Sequence, residues 1–199
     1  MSTQRRQWVT APRFTPLLGA LIGAVGGGVY WLGAQIWPTS IAVVLAMLAT
    51  ALLSAGSGAG AAARAPSSEL LGTVFAVLIK YNALMALSAA NLPYRLPANL
   101  VLGLIIIAGQ ASSRALVVSA SKPASYADLG IALALGFAPA ALIGMPGLIG
   151  LAAAIVARIG FIANIRRNRP SITAAELDLT QQLTEVCFYL GALASWAYI

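Results

Sequence analysis

From Phe14 to Ala63 the chain runs for fifty residues without a single Lys, Arg, Asp or Glu, and Leu129 to Ala157 is a second run of the same kind. A helix needs about 20 apolar residues to cross the roughly 30 Å of bilayer hydrocarbon, so the first run is long enough for two crossings. Trp37-Pro38-Thr39-Ser40 falls near its middle and supplies the turn. Composition agrees, with 60% hydrophobic and 9% charged residues, where soluble domains carry about 25% charged ones. So few charges cannot cover a soluble surface of this length.

These features predict an all-α, polytopic membrane bundle: lipid offers no partner to a free backbone amide, and the runs lack the short alternation of a membrane β-barrel. Seven spans fit: Pro16 to Ile36, Ser40 to Ala61, Leu70 to Leu92, Ala98 to Ser119, Tyr126 to Ile143, Pro146 to Ile165 and Leu183 to Ile199. Spans five and six could instead be one broken helix, giving six, because Pro139, Gly144 and Pro146 lie close together. Leu17 to Ile36 is too long for the apolar core of a signal peptide and reads as a permanent span. Residues 1–199 form one transmembrane domain, with a short cytoplasmic loop at 54–68 and a cytoplasmic linker with a short amphipathic helix at 166–182.

With seven spans, Arg5, Arg6, Arg13, Arg64, Lys122, Arg166, Arg167 and Arg169 share one side and Arg95 stands on the other. The cytoplasmic excess of Lys and Arg then places the N-terminus inside and the C-terminus outside, in a cytoplasmic (inner) membrane. The same excess accounts for the net charge of +7, so no nucleic-acid partner is needed. Aromatic residues near the span ends, among them Trp8, Trp31, Trp37, Tyr94, Trp196 and Tyr198, suit the membrane interface.

Two GxxxG steps, Gly19 with Gly23 and Gly56 with Gly60, allow helix backbones to approach closely. Packing within the chain and a homo-oligomer interface are the two readings. With one cysteine and no histidine, disulfide frameworks, histidine bases and histidine metal sites are excluded.

Lys80 sits ten positions into the third span, where a charge facing lipid is costly, so it should face the bundle interior or a wet cavity. It could hold a phosphate or carboxylate, pair structurally, or snorkel to the interface. Arg114, in Ala111-Ser112-Ser113-Arg114-Ala115, could snorkel to a headgroup, or use its fork on a phosphate that small neighbours admit. The acids are Glu69, Asp128, Glu176, Asp178 and Glu185. No two form a DxxD or DxxxD pair, and Glu176 and Asp178 point about 200° apart on a helix. Thr173-Ala174-Ala175-Glu176 fits a capping box, Glu69 suits a helix N-terminus, and Glu185, just inside the last span, could pair with Arg166 or Arg167.

In order along the chain, Arg13-Phe14-Thr15-Pro16-Leu17-Leu18-Gly19, Trp37-Pro38, Leu71-Gly72 with Lys80, Ala111-Ser112-Ser113-Arg114-Ala115, and Arg166-Arg167 leading to Gln181-Gln182 and Glu185 resemble the cobalamin synthase family. These are the membrane-embedded adenosylcobinamide-GDP ribazoletransferases. The resemblance implies a multi-span helical fold and the transfer of adenosylcobinamide phosphate from adenosylcobinamide-GDP to α-ribazole or its phosphate, releasing GMP, with Mg²⁺ as cofactor. It assigns Lys80, Arg114 and Ser113 to binding of the GDP-linked corrinoid. The family's loop after the second span carries an acidic DGLAD signature with further aspartates. Here that region, Ser54 to Ser68, has no acid, and Thr173-Ala174-Ala175 stands where the family has Thr-Gly-Asp. Glu69, Glu176 and Asp178 are weak substitutes as metal ligands. Phosphoryl transfer depends on neutralising developing charge, so the expectation is a family member with lost or reduced catalysis. A fully active transferase with ligands supplied otherwise, and a small transporter or scaffold, are the alternatives.

Overall fold

The computed structural model describes residues 14–56, 67–89, 97–120, 125–168 and 172–196. Within them the chain is helical: α1 (Thr15–Ile36), α2 (Thr39–Gly56), α3 (Ser67–Ala89), α4 (Ala98–Ala120), α5 (Tyr126–Leu142), α6 (Met145–Asn168) and α7 (Ala174–Trp196). Among the described residues four stretches are long and apolar enough to cross a membrane: Thr15–Ile36, Gly72–Ala89, Asn99–Ala120 and Met145–Arg167. Thr39–Ser54 and Tyr126–Leu142 are shorter apolar helices. Large apolar side chains such as Leu21, Leu32, Ile36, Leu52, Phe75 and Val156 point outward. That is the surface of a helical membrane bundle, in which lipid takes the place of water.

Local chemistry sets the helix ends. Pro16 opens α1, where its missing N–H costs nothing. Trp37 leaves the helix in an extended conformation and donates its amide to Gly33 O, and the Pro38 carbonyl then accepts the first bonds of α2. Ser125 caps α5 by accepting from the Asp128 amide, while its hydroxyl donates to the Asp128 carboxylate. Spans five and six are separate helices. The link turns at Gly144, whose φ of 79° is the left-handed conformation that glycine adopts at little cost.

The innermost helix is α4, which packs against α1, α5, α6, α7 and α3. Glycines let α1 close on it: a Cβ at Gly23 would stand 2.6 Å from the Ile107 Cα, and one at Gly27 3.0 Å from the Gly103 carbonyl. The Gly19–Gly23 step therefore joins two helices of one chain. Gly60 of the second step lies outside the described residues, as do Arg5, Arg6, Arg13, Arg64, Arg95, Lys122 and Arg169 of the charge count. The core around this seam contains Tyr30, Val43, Leu84, Leu102, Ile105, Phe188 and Tyr189.

The end of the chain differs from the boundary drawn on the sequence. Helix α7 begins at Ala174 and runs unbroken through residue 182 into the last apolar stretch. Thr173 and Glu176 form the expected capping box: the Glu176 amide donates to Thr173 Oγ1 at 3.2 Å and the Thr173 amide to Glu176 Oε2 at 2.7 Å. With the first turn satisfied there, nothing interrupts the helix before Glu185.

Candidate functional site

Helices α2, α3, α4 and α7 enclose a cavity of about 900 Å³. Its apolar wall comes from the facing sides of α2 and α3, including Val44, Leu48, Ala76 and Val77, and its polar wall from Lys80, Gln110, Arg114, Asp178, Gln181 and Glu185. Lys80 and Arg114, singled out by depth and by sequence, are thus brought to one chamber. Ser113 is not part of the wall; it is buried, and its hydroxyl donates to the Gln110 carbonyl one turn back.

The deep end is organised around Glu185. Its Oε1 receives Lys80 Nζ at 2.5 Å, Gln110 Nε2 at 2.7 Å and Tyr189 OH at 2.8 Å. Lys80 Nζ also lies 5.8 Å from the centre of the Tyr189 ring. The two charged side chains are 15% and 6% exposed, and at such burial a charge is tolerable only when paired and hydrogen-bonded. Lys80 therefore neither snorkels nor faces lipid. The expected surface pair of Glu185 with Arg166 or Arg167 is not formed. Because α7 starts nine residues before Leu183, Glu185 lies three turns into the helix, inside the bundle and facing α3 and α4.

At the other end, Arg114 is 6% exposed, so it too faces inward. Its Nη2 donates to Ser54 Oγ at 3.1 Å, near the C-terminus of α2. Its Nε takes no partner among the described residues, and neither does Gln110 Oε1. Asp178, on the second turn of α7 ahead of the apolar stretch, joins this wall. Burial pushes its carboxyl up from the ordinary range, and the Arg114 charge pulls it back down.

Sequence reasoning did not single out Gln110, Tyr189 or Ser54, whose roles depend on which helices meet. It also missed Arg158, within the sixth span, whose Nη2 donates to the Ser119 carbonyl at 2.6 Å and so satisfies the end of α4. An arginine late in an apolar span is the signal that could have found it.

A divalent cation fits this donor set poorly. The cavity carboxylates are Asp178 and Glu185, seven residues apart on one helix, hence separated by about 10 Å along its axis. Mg²⁺ holds its oxygens at about 2.0–2.1 Å. Those two side chains cannot share one ion, and Glu185 Oε1 is already taken by three donors. Glu176 is engaged in its cap, and the Glu69 side chain lies outside the described residues. Among those residues no three Asp, Glu, Cys or His side chains gather to hold a metal.

No protein-family model and no solved structure matches the chain. Curated proteins do. The adenosylcobinamide-GDP ribazoletransferase of Leptothrix cholodnii is 32% identical over 233 residues, covering 94% of this chain and 86% of that protein. Those of Ralstonia nicotianae and Shewanella halifaxensis are each 27% identical, over 94% of this chain and 84% and 86% of their own lengths. The first match extends over more positions than the 199 residues of this chain, so the relative has segments that are missing here. Similarity at that level across nearly the whole chain, with the expected segments in order on a helical membrane bundle, shows that it belongs to the adenosylcobinamide-GDP ribazoletransferase, or cobalamin synthase, family.

Proposed function

We propose that this chain is a cobalamin-synthase-like membrane protein that keeps a phosphate-binding chamber but has lost, or strongly reduced, the transferase chemistry of its relatives. The observation that carries this reading is the spacing of the cavity carboxylates. Asp178 and Glu185 are too far apart to chelate one Mg²⁺, and Glu185 is committed to Lys80, Gln110 and Tyr189. Transfer from a diphosphate needs its departing charge neutralised and its groups held in line. Arg114 can hold a phosphate by its guanidinium, yet among the described residues no clustered anionic oxygens bring a metal beside it.

In this reading the ligand is the GDP-linked corrinoid or a phosphate-bearing part of it. Lys80 keeps the deep end neutral, and Arg114 makes the anion contact. The arrangement of positive charge along the sequence supports a cytoplasmic-membrane location with the N-terminus inside.

The test is an assay of purified, reconstituted protein with adenosylcobinamide-GDP, α-ribazole and Mg²⁺, following GMP release. The expected result is release at least 100-fold slower than by a relative such as the Leptothrix protein, on the order of the loss seen when one preorganised charge-stabilising contact is removed. Metal-dependent turnover equal to that relative's would overturn the proposal. Titration with the GDP-linked corrinoid examines binding separately: Arg114→Gln should weaken it by about tenfold.

A further inference from the structure

The chamber is open on one side. Helix α3 packs against α7, α2 and α4, but little of its membrane-spanning stretch is buried in the bundle. Several apolar residues of α2 and α3 that line the cavity are also exposed: Val44 is 51% exposed, Leu48 52%, Val77 49% and Leu78 51%. Their apolar side chains form the two lips of a slot that faces the hydrocarbon of the bilayer.

The slot has a polar end and an apolar end. Ser54 and Arg114 stand near the C-termini of α2 and α4, beside the first turns of α7 that bring Asp178, Gln181 and Gln182. From Ser54 the wall continues down α2 through Ala51 and Leu48 to Val44, ten residues or about 15 Å of helix rise. That length matches one leaflet, about half of the roughly 30 Å hydrocarbon core. At the polar end, Arg114 Nε is buried without a partner. Asp178 makes no hydrogen bond or ion pair among the described residues, with Arg114 or any other. One cation and one carboxylate thus face the same space, near enough for the Arg114 charge to act on Asp178 but with no hydrogen bond or ion pair between them among the described residues.

We propose that the chamber binds a membrane phospholipid whose head group bears both a phosphate and a primary amine, entering sideways between α2 and α3. The phosphate sits on the Arg114 fork, the ammonium turns to Asp178 and the neighbouring glutamine amides, and one acyl chain follows the α2 wall past Leu48 to Val44. A phosphate ester without the amine leaves Asp178 facing an anion, and a choline head group has no N–H to donate to it. A soluble phosphoethanolamine lacks the chain that the apolar wall is shaped to cover. This proposal concerns what occupies the Arg114 fork when no corrinoid is bound, and it does not depend on whether the protein turns over a corrinoid.

Native mass spectrometry of the purified full chain, exchanged into detergent with equal amounts of phosphatidylethanolamine, phosphatidylglycerol and phosphatidylcholine, reads the occupancy directly, with no corrinoid or metal present. The wild type should retain phosphatidylethanolamine about tenfold over the other two, and Arg114→Gln should lower its retention by about tenfold. Asp178→Asn should equalise the ethanolamine and glycerol lipids. Because Arg114 is buried and its variant could disturb folding, Leu48→Trp serves as a second probe: an exposed position that narrows the slot, expected to cut retention of every lipid while thermal stability is unchanged. Unaltered retention in both Arg114→Gln and Leu48→Trp would overturn the proposal. So would equal retention of all three lipids by the wild type, or displacement of bound lipid by free phosphoethanolamine at equal concentration, which would mark a site for soluble phosphates. Since GMP release is no part of this readout, its failure and failure of the transferase reading are told apart.

Discussion

The α1–α4 seam and the α2–α3 side are built from the same apolar residue types and behave in opposite ways. Along the seam, Gly19, Gly23 and Gly27 bring α1 against the backbone of α4 at Gln110, Ile107 and Gly103, and no room is left for a methyl group. On the other side, no atom of the described residues lies within 4 Å of where a Cβ at Gly72 would stand, and the charged side chains line a cavity. In a bilayer, apolar contact alone gives helices little reason to associate, because lipid tails are as apolar as leucine. Close backbone packing holds the first region together; in the second that role falls to a few buried polar bonds, which leaves space for a ligand.

The sharpest way to break this contrast is to remove Lys80. In Lys80→Met the Glu185 carboxylate stays buried with only Gln110 and Tyr189 as donors, and uncompensated buried charges typically cost about 3–5 kcal/mol. The expected outcome is a large loss of thermal stability in detergent, with α3 becoming the first segment open to proteolysis. Lys80→Met combined with Glu185→Gln should recover most of the loss, since no charge is then left unpaired. If the double variant is as unstable as the single one, α3 is held by packing after all.

On the tight side the corresponding change is Gly23→Ala. Its Cβ would come 2.6 Å from the Ile107 Cα and 3.1 Å from the Ile106 carbonyl, both backbone atoms that cannot swing away. Helices α1 and α4 must then separate, and overpacking of this kind costs about 1–3 kcal/mol. Gly28→Ala is the control, because nothing lies within 4 Å of its Cβ position; thermal unfolding should leave it at or above wild type. Equal effects at the two positions would show that the seam is looser than its distances imply.

Much of this was legible in the sequence, and the rest failed for identifiable physical reasons. Charge-free runs fix helices because lipid forbids an unpaired backbone. The i, i+4 glycines mark a close approach, and a lysine deep in a span has to find an inward partner. That partner was not legible. Glu185 reads as a surface acid when its depth is taken from the start of the apolar stretch at Leu183, whereas the helix starts at its cap, at Thr173. Arg114 read equally well as snorkelling outward, since spacing along one helix does not say which neighbours surround it. Gln110 and Tyr189 are ordinary members of apolar spans until α4 and α7 meet; next to Gln110, Gly109 leaves the space that the Tyr189 ring fills.

The smallest effect concerns that misread helix start, and it separates a structural acid from a functional one. Thr173→Ala removes the oxygen that accepts the Glu176 amide, and loss of such a cap costs about 1 kcal/mol. Hydrogen exchange should quicken in the first turn of α7, while exchange around Glu185, three turns on, stays unchanged because Lys80, Gln110 and Tyr189 fix it independently. Glu176→Ala should reproduce the same local fraying, since its carboxylate accepts from both the Thr173 amide and hydroxyl. Neither variant should alter the binding of Mg²⁺, measured by calorimetry on the reconstituted protein. A drop in Mg²⁺ affinity on Glu176→Ala alone would instead make Glu176 a metal ligand, and the lack of clustered carboxylates at the Arg114 end of the chamber would no longer hold.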